Sequence, residues 1–335
     1  MRAPARAQDL VLAHRVKDYR VGELERRYPR LALEECFFLN YGFLPREKLS
    51  FLHPRTELRD WDARMRTRAE EVLAFVRRRG HTRAKDVEGH FNHGRIKGLF
   101  WGANPNVSTH LLEGLHYRGL IRVARRDRGA RVYEPVEQRP RDDDPEARLE
   151  RAGKLMDIAV HLYAPLPAAS LRHLCGLFRY GAPQLLAEMQ LVRERAEARY
   201  ASARVDGVVW FWPRGENPLD ADYQVDEKLR CLAPFDPVVW DRRRFQLLWG
   251  WEYKFEAYVP AAKRRMGHYA MPVLWGEQML GWANLSVANG GLQHELGFVE
   301  RRPRGKAFQR ALREGLQEME SFLGLQVSPL SARRL

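Results

Sequence analysis

The strongest constraint on the fold is a run of three predicted helices and two predicted strands between residues 62 and 135. The helices are predicted over residues 62–79, 83–90 and 107–118. Apolar residues in the first and third recur at spacings of three and four, which is typical of a helix with one buried face. Thr82 is placed to cap the second helix, and Gly80 and Gly119 are placed to end the other two.

Two short stretches after the third helix alternate between apolar and polar residues, as half-exposed strands do. They cover 120–123 and 131–133, and the Arg-Asp-Arg-Gly sequence at 126–129 predicts the turn between them. Three helices followed by a basic two-stranded hairpin are typical of a winged helix. The same order recurs more weakly in the next part of the chain. Its predicted helices are 147–162, 168–177 and 183–199, and its strand or hairpin is 204–212.

From Leu229 the spacing of apolar residues changes from helical to alternating, which predicts strands. Four antiparallel strands are predicted over 251–259, 268–274, 279–287 and 292–299, and a closing amphipathic helix over 304–323. The predicted fold class is therefore α+β. It has tandem winged-helix domains and a C-terminal antiparallel β-sheet or open barrel that is covered by a helix.

The first sixty residues match none of these modules as a whole, although they offer a helix over 5–16 and apolar segments at 31–38 and 43–52. An acidic run with prolines predicts a linker after the first winged helix. We predict five segments: a partial N-terminal winged-helix remnant (1–60), a winged-helix DNA-binding domain (61–138), a linker (139–146), a second winged-helix-like domain (147–228) and a β-rich C-terminal domain with a closing helix (229–335).

The 335 residues carry 57 Lys and Arg against 43 Asp and Glu, a net charge of +14. A polyanionic partner is the leading explanation of this excess. Nucleic acid is favoured over a membrane, because neither end carries a basic amphipathic helix and the chain has no apolar run of about 18 residues. A basic protein with solvated charges remains the alternative. The three scattered cysteines indicate reduced thiols in a cytoplasmic protein and exclude a zinc knuckle.

The basic charge is concentrated between residues 77 and 135, where 13 basic and five acidic residues give a net charge of +8. A winged helix places its third helix in the major groove of DNA and its hairpin on the backbone or minor groove. Two further basic clusters follow in the C-terminal domain. The candidate DNA-binding residues are Ser108, Thr109, His110, Arg118, Arg125, Arg126, Arg128, Arg131, Arg242, Arg243, Lys263, Arg264 and Arg265.

The exposed face of the third helix is expected to carry Ser108, Thr109 and His110. Alanine at Arg126 or Arg128 is expected to weaken DNA binding about equally across sequences, as loss of a backbone contact should. Protein-binding winged helices with solvated charges are the competing interpretation of the same pattern.

Catalytic motifs are absent from the sequence, which has no phosphate-binding loop, nucleophile elbow or paired metal ligands. The loop at 233–241 holds Asp236 between prolines, and this pattern predicts an Asx turn that shapes the loop.

Three segments resemble the YcaQ/AlkZ-like crosslink-repair DNA glycosylases: LAPFDPVVWDR at 232–242, YKFEAYVPAAKR at 253–264 and HLLEGLHYRGL at 110–120. The resemblance covers essentially the whole chain, and 231–275 is its most specific part. It implies tandem winged helices and a β-rich domain around double-stranded DNA, with no metal or cofactor. It also implies a monomer, which associates with the nucleoid when bound to DNA.

The implied reaction is hydrolysis of the N-glycosidic bond of bulky alkylated purines, including the unhooking of interstrand crosslinks. An alkylated purine is a cationic leaving group, so a carboxylate that stabilises the oxocarbenium ion and an amide that positions water are sufficient. The family places these groups on a Gln-x-Asp motif, or Gln-x-Gln in one branch.

That motif precedes a segment that resembles residues 2–9, so we expect the catalytic pair upstream of Met1 and assign no catalytic residue within the chain. Gln8 and Asp9 do not replace it, because adjacent helical residues point about 100° apart. The family's Trp-x-His element also differs, with Asn40 where many members have His. Pocket candidates are Asn40, Tyr41, Asp236 and Glu256.

The sequence leaves three hypotheses open. The first is a glycosylase for alkylated or crosslinked DNA whose catalytic motif lies upstream of Met1, so that the chain as given is expected to be inactive. The others are a non-catalytic winged-helix regulator or remnant that binds DNA, and a winged helix used for protein assembly.

Overall fold

The computed structural model describes residues 3–56, 61–96, 106–137, 144–220 and 223–326. The α-helices of these residues are α1 (Ala7–Ala13), α2 (Glu23–Arg27), α3 (Leu49–Leu52), α4 (Ala63–Arg79), α5 (Ala84–Phe91), α6 (Val107–Tyr117), α7 (Pro145–Tyr163), α8 (Ala168–Gly181), α9 (Leu186–Glu194), α10 (Ala196–Arg199), α11 (Pro237–Trp240), α12 (Arg242–Trp249) and α13 (Lys306–Leu323). The strands are β1 (Leu33–Phe37), β2 (Tyr41–Pro45), β3 (Ile121–Asp127), β4 (Ala130–Pro135), β5 (Leu166–Pro167), β6 (Ala201–Val205), β7 (Val208–Trp212), β8 (Leu229–Cys231), β9 (Met271–Trp275), β10 (Gln278–Ala288) and β11 (Gly291–Phe298). None of these helices is both long and apolar enough to cross a bilayer.

The chain forms two compact units. One combines Met1–Leu24 with Gly215–Leu335, and the other is Glu25–Arg214. The first sixty residues are therefore divided between the units after Leu24. The five-segment division stays a prediction, and most of the predicted linker at 139–146 lies outside the described residues.

The first winged-helix module follows the predicted order closely. The Asp62 carboxylate accepts a hydrogen bond from the Met65 N–H at 2.7 Å and caps α4, and Gly80 follows that helix at a φ of 75°. Helices α4, α5 and α6 enclose a core with the β3–β4 hairpin. Thr82 does not cap α5, which begins after Arg83. It pairs instead with Tyr133 in an antiparallel bridge.

The second module repeats this topology. Its order is α7, β5, α8, α9 and the β6–β7 hairpin, and β5 pairs with β7 just as Thr82 pairs with Tyr133 in the first module. The single helix predicted over 183–199 is a 3-10 turn followed by α9 and α10, with a break at Arg195.

The β1–β2 hairpin belongs to the same unit and is joined to the first module through Tyr28. The Tyr28 hydroxyl donates to the Val123 carbonyl at 2.8 Å and accepts from the Glu35 N–H at 3.0 Å. This anchor places the acidic inner residues of β1 beside β3, which matters for the basic hairpin described below.

The C-terminal sheet has the strand order β11-β10-β9-β8 and is a curled half-barrel. Helix α13 covers it, with Phe308 packed edge-on against Trp275 and Phe298. This confirms the predicted sheet with a closing helix.

The prediction of a strand over 251–259 is wrong, because this segment forms no strand. The fourth strand of the sheet is β8, which pairs with β9. The alternating side chains of this segment pack around a local cluster. Tyr253 is buried against Phe245 and donates a hydrogen bond to the Ala270 carbonyl at 2.6 Å. The alternation of apolar and polar residues in this segment therefore reflects packing against helix α12 and not pairing with a strand.

Candidate nucleic-acid interface

Helix α6 presents its predicted DNA-facing residues unevenly. Ser108 is fully buried, and its hydroxyl donates a hydrogen bond to the Glu88 carboxylate of α5 at 2.7 Å. The expectation that it lies on the exposed face was therefore wrong. Thr109 and His110 are half-buried. Arg118, at the end of the helix, lies over the Trp61 ring at 3.7 Å from its centre.

The β3–β4 hairpin, residues 121–135, is called the wing here, and most of its cations have partners within the protein. Arg126 donates from Nε to Glu35 at 2.9 Å and makes a second bond to the same carboxylate. Arg131 contacts Glu35 at 3.3 Å, and Arg125 contacts Asp127 at 3.2 Å. These pairs direct the guanidinium groups of Arg126 and Arg131 towards β1.

Arg128 differs from the other wing arginines. It lies at the turn, is exposed and adopts a φ of 50°. It is therefore the wing cation most available to a phosphate.

Glu34 and Glu35 on β1 are almost fully buried, and the sequence reasoning missed their function. Glu34 binds Arg46 at 2.6 Å and Arg122 at 2.7 Å. Burial raises the pKa of Glu35, but hydrogen bonds from Arg126 and Tyr41 outweigh it and hold that pKa below its ordinary value. The signal in the sequence was two successive acids inside the apolar segment at 31–38, in a chain with an excess of arginines.

A cavity of about 340 Å³ opens between α6, the β1–β2 hairpin, the wing and α8. Its lining is mainly aromatic, with a carboxylate, two guanidinium groups and one imidazole. The residues are Phe37, Tyr41, Arg55, Glu113, His116, Tyr117, Arg131 and Tyr180. We call it the aromatic cavity.

Two of the pocket candidates lie at the β1–β2 turn. Tyr41 lines the aromatic cavity and donates from its hydroxyl to Glu35 at 2.7 Å. Asn40 precedes it in the turn and is exposed. Glu113 is a half-exposed carboxylate in this cavity and pairs with Arg131 at 3.0 Å.

The other two pocket candidates, Asp236 and Glu256, lie in the unit that contains the C-terminal sheet. The Asp236 carboxylate is fully buried and receives both terminal nitrogens of Arg15, at 2.7 and 2.8 Å. It also accepts the Val238 N–H at 2.9 Å, the local bond that the Asx-turn interpretation predicts. These contacts support a structural role for Asp236.

Glu256 is buried and accepts hydrogen bonds from three successive backbone N–H groups, those of Arg265, Met266 and Gly267. Burial raises its pKa, but these three donors outweigh that effect and hold the pKa below its ordinary value. The carboxylate therefore fixes the basic loop that follows.

The basic residues of this unit, like those of the wing, include some that are bonded within the protein and some that are exposed. Arg242 bonds to the Pro234 carbonyl at 2.9 Å and lies over the Tyr253 ring. Arg264 donates to the Val259 carbonyl at 2.8 Å. Of the candidate DNA-binding residues in this unit, Arg243, Lys263 and Arg265 are exposed.

Among the residues described, no three His, Cys, Asp or Glu side chains lie together in a way that could hold a metal ion.

Two modules of helices with a β-hairpin, a curled C-terminal sheet and a set of exposed cations are the architecture of a protein that binds nucleic acid. The chain belongs to the AlkZ-like DNA glycosylase family, whose model matches residues 3–322. The fold is similar to that of the DNA glycosylase AlkZ of Streptomyces sahachiroi, with a TM-score of 0.62 and 12% sequence identity. The match covers 97% of this chain and 88% of that chain.

Proposed function

We propose that the protein acts as a monomer on double-stranded DNA and hydrolyses the N-glycosidic bond of bulky alkylated purines, including those of interstrand crosslinks. Membership of the AlkZ-like family supports the reaction class. The observation that carries the substrate class is the aromatic cavity beside α6 and the wing.

A purine alkylated on a ring nitrogen carries a positive charge, and aromatic faces attract such cations. An enzyme that acts on a base in a duplex must take the base out of the stack and hold it in a pocket. Tyr41, Tyr117 and Tyr180 each have a guanidinium over one ring face, from Arg131, Arg55 and Arg179. The base is proposed to stack on an opposite ring face, and the cavity volume of about 340 Å³ leaves room for a bulky adduct.

DNA contact is proposed at the N-terminal half of α6 and at the exposed cations Arg128, Arg243, Lys263 and Arg265. If about six phosphates are contacted, the logarithm of the affinity falls against the logarithm of salt concentration with a slope near −5. The buried pairs of Arg126 and Arg131 support a smaller contribution from these two residues.

The test is incubation with duplex oligonucleotides that carry an N7-alkylated guanine or an N7-linked interstrand crosslink. Base release is measured by chromatography and unhooking by denaturing gel. Tyr180→Leu removes a half-exposed ring from the aromatic cavity and is expected to reduce base release about tenfold or more. Tyr180→Phe keeps the ring and is expected to keep base release near the wild-type level. Binding to DNA with no release from any alkylated substrate, by this chain and by a form that also carries the family's Gln-x-Asp motif, would contradict the glycosylase and favour a non-catalytic DNA-binding regulator.

A further inference from the structure

Tyr258 is the most exposed aromatic side chain among the described residues, with 90% of its surface accessible. It ends a row of aromatic rings. Phe235 lies edge-on to Phe255 at 5.3 Å between ring centres, and Phe255 lies edge-on to Tyr258 at 6.3 Å. A ring so exposed adds little to the core, because almost none of its apolar surface leaves water.

The loop that displays Tyr258 is fixed on both sides of it. The buried Glu256 carboxylate binds the backbone of Arg265, Met266 and Gly267. The Val259 N–H bonds to the Glu256 carbonyl at 3.0 Å, and Arg264 bonds to the Val259 carbonyl. Because the backbone is already ordered, a partner that binds the ring pays little further entropy.

The charged residues that follow Tyr258 in its loop are basic. Lys263 and Arg265 follow Tyr258 in the same loop and are exposed. An exposed aromatic ring and exposed cations in the same ordered loop have the composition of a stacking platform for single-stranded nucleic acid, where the ring contacts a base and the cations contact phosphates.

We propose that Tyr258 stacks on an unpaired base of the bound DNA and so favours DNA in which a base pair has been opened. This inference rests on the proposed function to the extent that it requires DNA binding. A base stacked on tyrosine replaces part of the stacking energy that is lost when a nucleotide leaves the helix. The platform lies in the unit with the C-terminal sheet and is distinct from the aromatic cavity.

The test compares the full chain on two duplexes of the same sequence, one fully paired and one with 2-aminopurine opposite an abasic site. Fluorescence of 2-aminopurine reports stacking, and titration gives both affinities. The wild-type protein is expected to prefer the unpaired site, and Tyr258→Ala to reduce that preference about 5- to 100-fold. Tyr258→Phe is expected to keep it.

The matched control is Tyr223→Ala, which removes another exposed tyrosine of the same unit, 63% accessible, and is expected to leave the preference unchanged. Thermal unfolding of each variant checks that the fold is intact. The inference is overturned if Tyr258→Ala keeps the wild-type preference, or if the wild-type protein binds paired DNA but does not prefer the unpaired site. Neither result would contradict the proposed function. Absence of binding to either duplex would overturn the proposed function and this inference together.

Discussion

At the scale of single residues, the basic side chains are of two kinds: some are paired within the protein and others are exposed. Both kinds contribute equally to the net charge. Arg126 and Arg131 neutralise a buried glutamate, and Arg242 lies over a tyrosine ring. Arg128 and Lys263 are exposed. Only the exposed population is expected to release counterions from DNA, since the other guanidinium groups already have partners.

Arg126→Ala and Arg128→Ala are therefore expected to act differently. Arg128→Ala should reduce the magnitude of the salt slope of DNA binding by about 1 and leave the fold unchanged. Arg126→Ala leaves Glu35 buried with fewer partners, and should lower the free energy of unfolding by about 2 kcal/mol. Affinity titrations at several salt concentrations and urea unfolding separate the two effects. Equal salt slopes and equal stabilities of the two variants would contradict the assignment.

The buried pair of Arg15 and Asp236 predicts a second contrast. Arg15→Ala leaves a fully buried carboxylate without its cation and should cost about 3 kcal/mol of unfolding free energy. The matched control is Arg230→Ala. Arg230 binds Asp226 through two bonds of 2.6 Å, but that carboxylate is half-exposed, so the cost should be below about 1 kcal/mol. Urea unfolding of both variants measures the difference, and similar costs would argue against burial as its cause.

At the scale of elements, close contact between a helix and a strand depends on one glycine. A Cβ atom on Gly315 of α13 would lie 2.7 Å from the Leu229 carbonyl oxygen of β8, so any side chain there must push the helix away from the sheet. Packing of α13 on the sheet is therefore set by backbone contact at β8 as well as by Phe308, which contacts β9 and β11.

Gly315→Ala is expected to lower the free energy of unfolding by about 1–3 kcal/mol, because backbone must move to admit the methyl group. Gly176→Ala in α8 meets nothing within 4 Å and should raise stability by up to about 1 kcal/mol through helix propensity. Thermal unfolding of the two variants gives the comparison. A Gly315 variant as stable as the wild type would show that α13 can move without cost.

At the scale of the whole molecule, buried ionisable groups make stability depend on pH. His53 and His116 both line a cavity of about 520 Å³ under the wing. Burial, together with the charge of Arg131, lowers the pKa of His116 to about 4. Burial likewise lowers the pKa of His53 to about 3, with Arg55 adding to the effect.

These pKa values set the sign of the pH dependence. Between pH 6.5 and about 4 the unfolded chain binds protons at these two histidines and the folded protein does not. The free energy of unfolding is therefore expected to fall as the pH is lowered, by at most about 1.4 kcal/mol per pH unit for each histidine. Urea unfolding between pH 7 and 4 measures it. The double variant His53→Gln with His116→Gln should flatten the slope, and a slope equal to that of the wild type would contradict the assignment to these two histidines.

Elements with local signals were predictable from the sequence. The bounds of α4 follow from apolar spacing, the Asp62 cap and a glycine at the end. Those of α6 and of the helix that covers the sheet follow from apolar spacing and a glycine after the end, and all these signals act within about one turn of helix. The family resemblance at 232–264 likewise needs only the sequence, and the match over residues 3–322 confirms it.

Tertiary structure decided which partner each side chain meets. Alternation at 251–259 was compatible with a strand, but the fold buries Tyr253 against α12 and leaves Tyr258 exposed. The positive charge of Arg126 was readable in the sequence, whereas its pairing with Glu35, 91 residues away, was not. A local pattern specifies the polarity of a side chain and the form of its segment. Its partner across the chain is set only when distant segments pack together, because burial and ion pairing are properties of that contact.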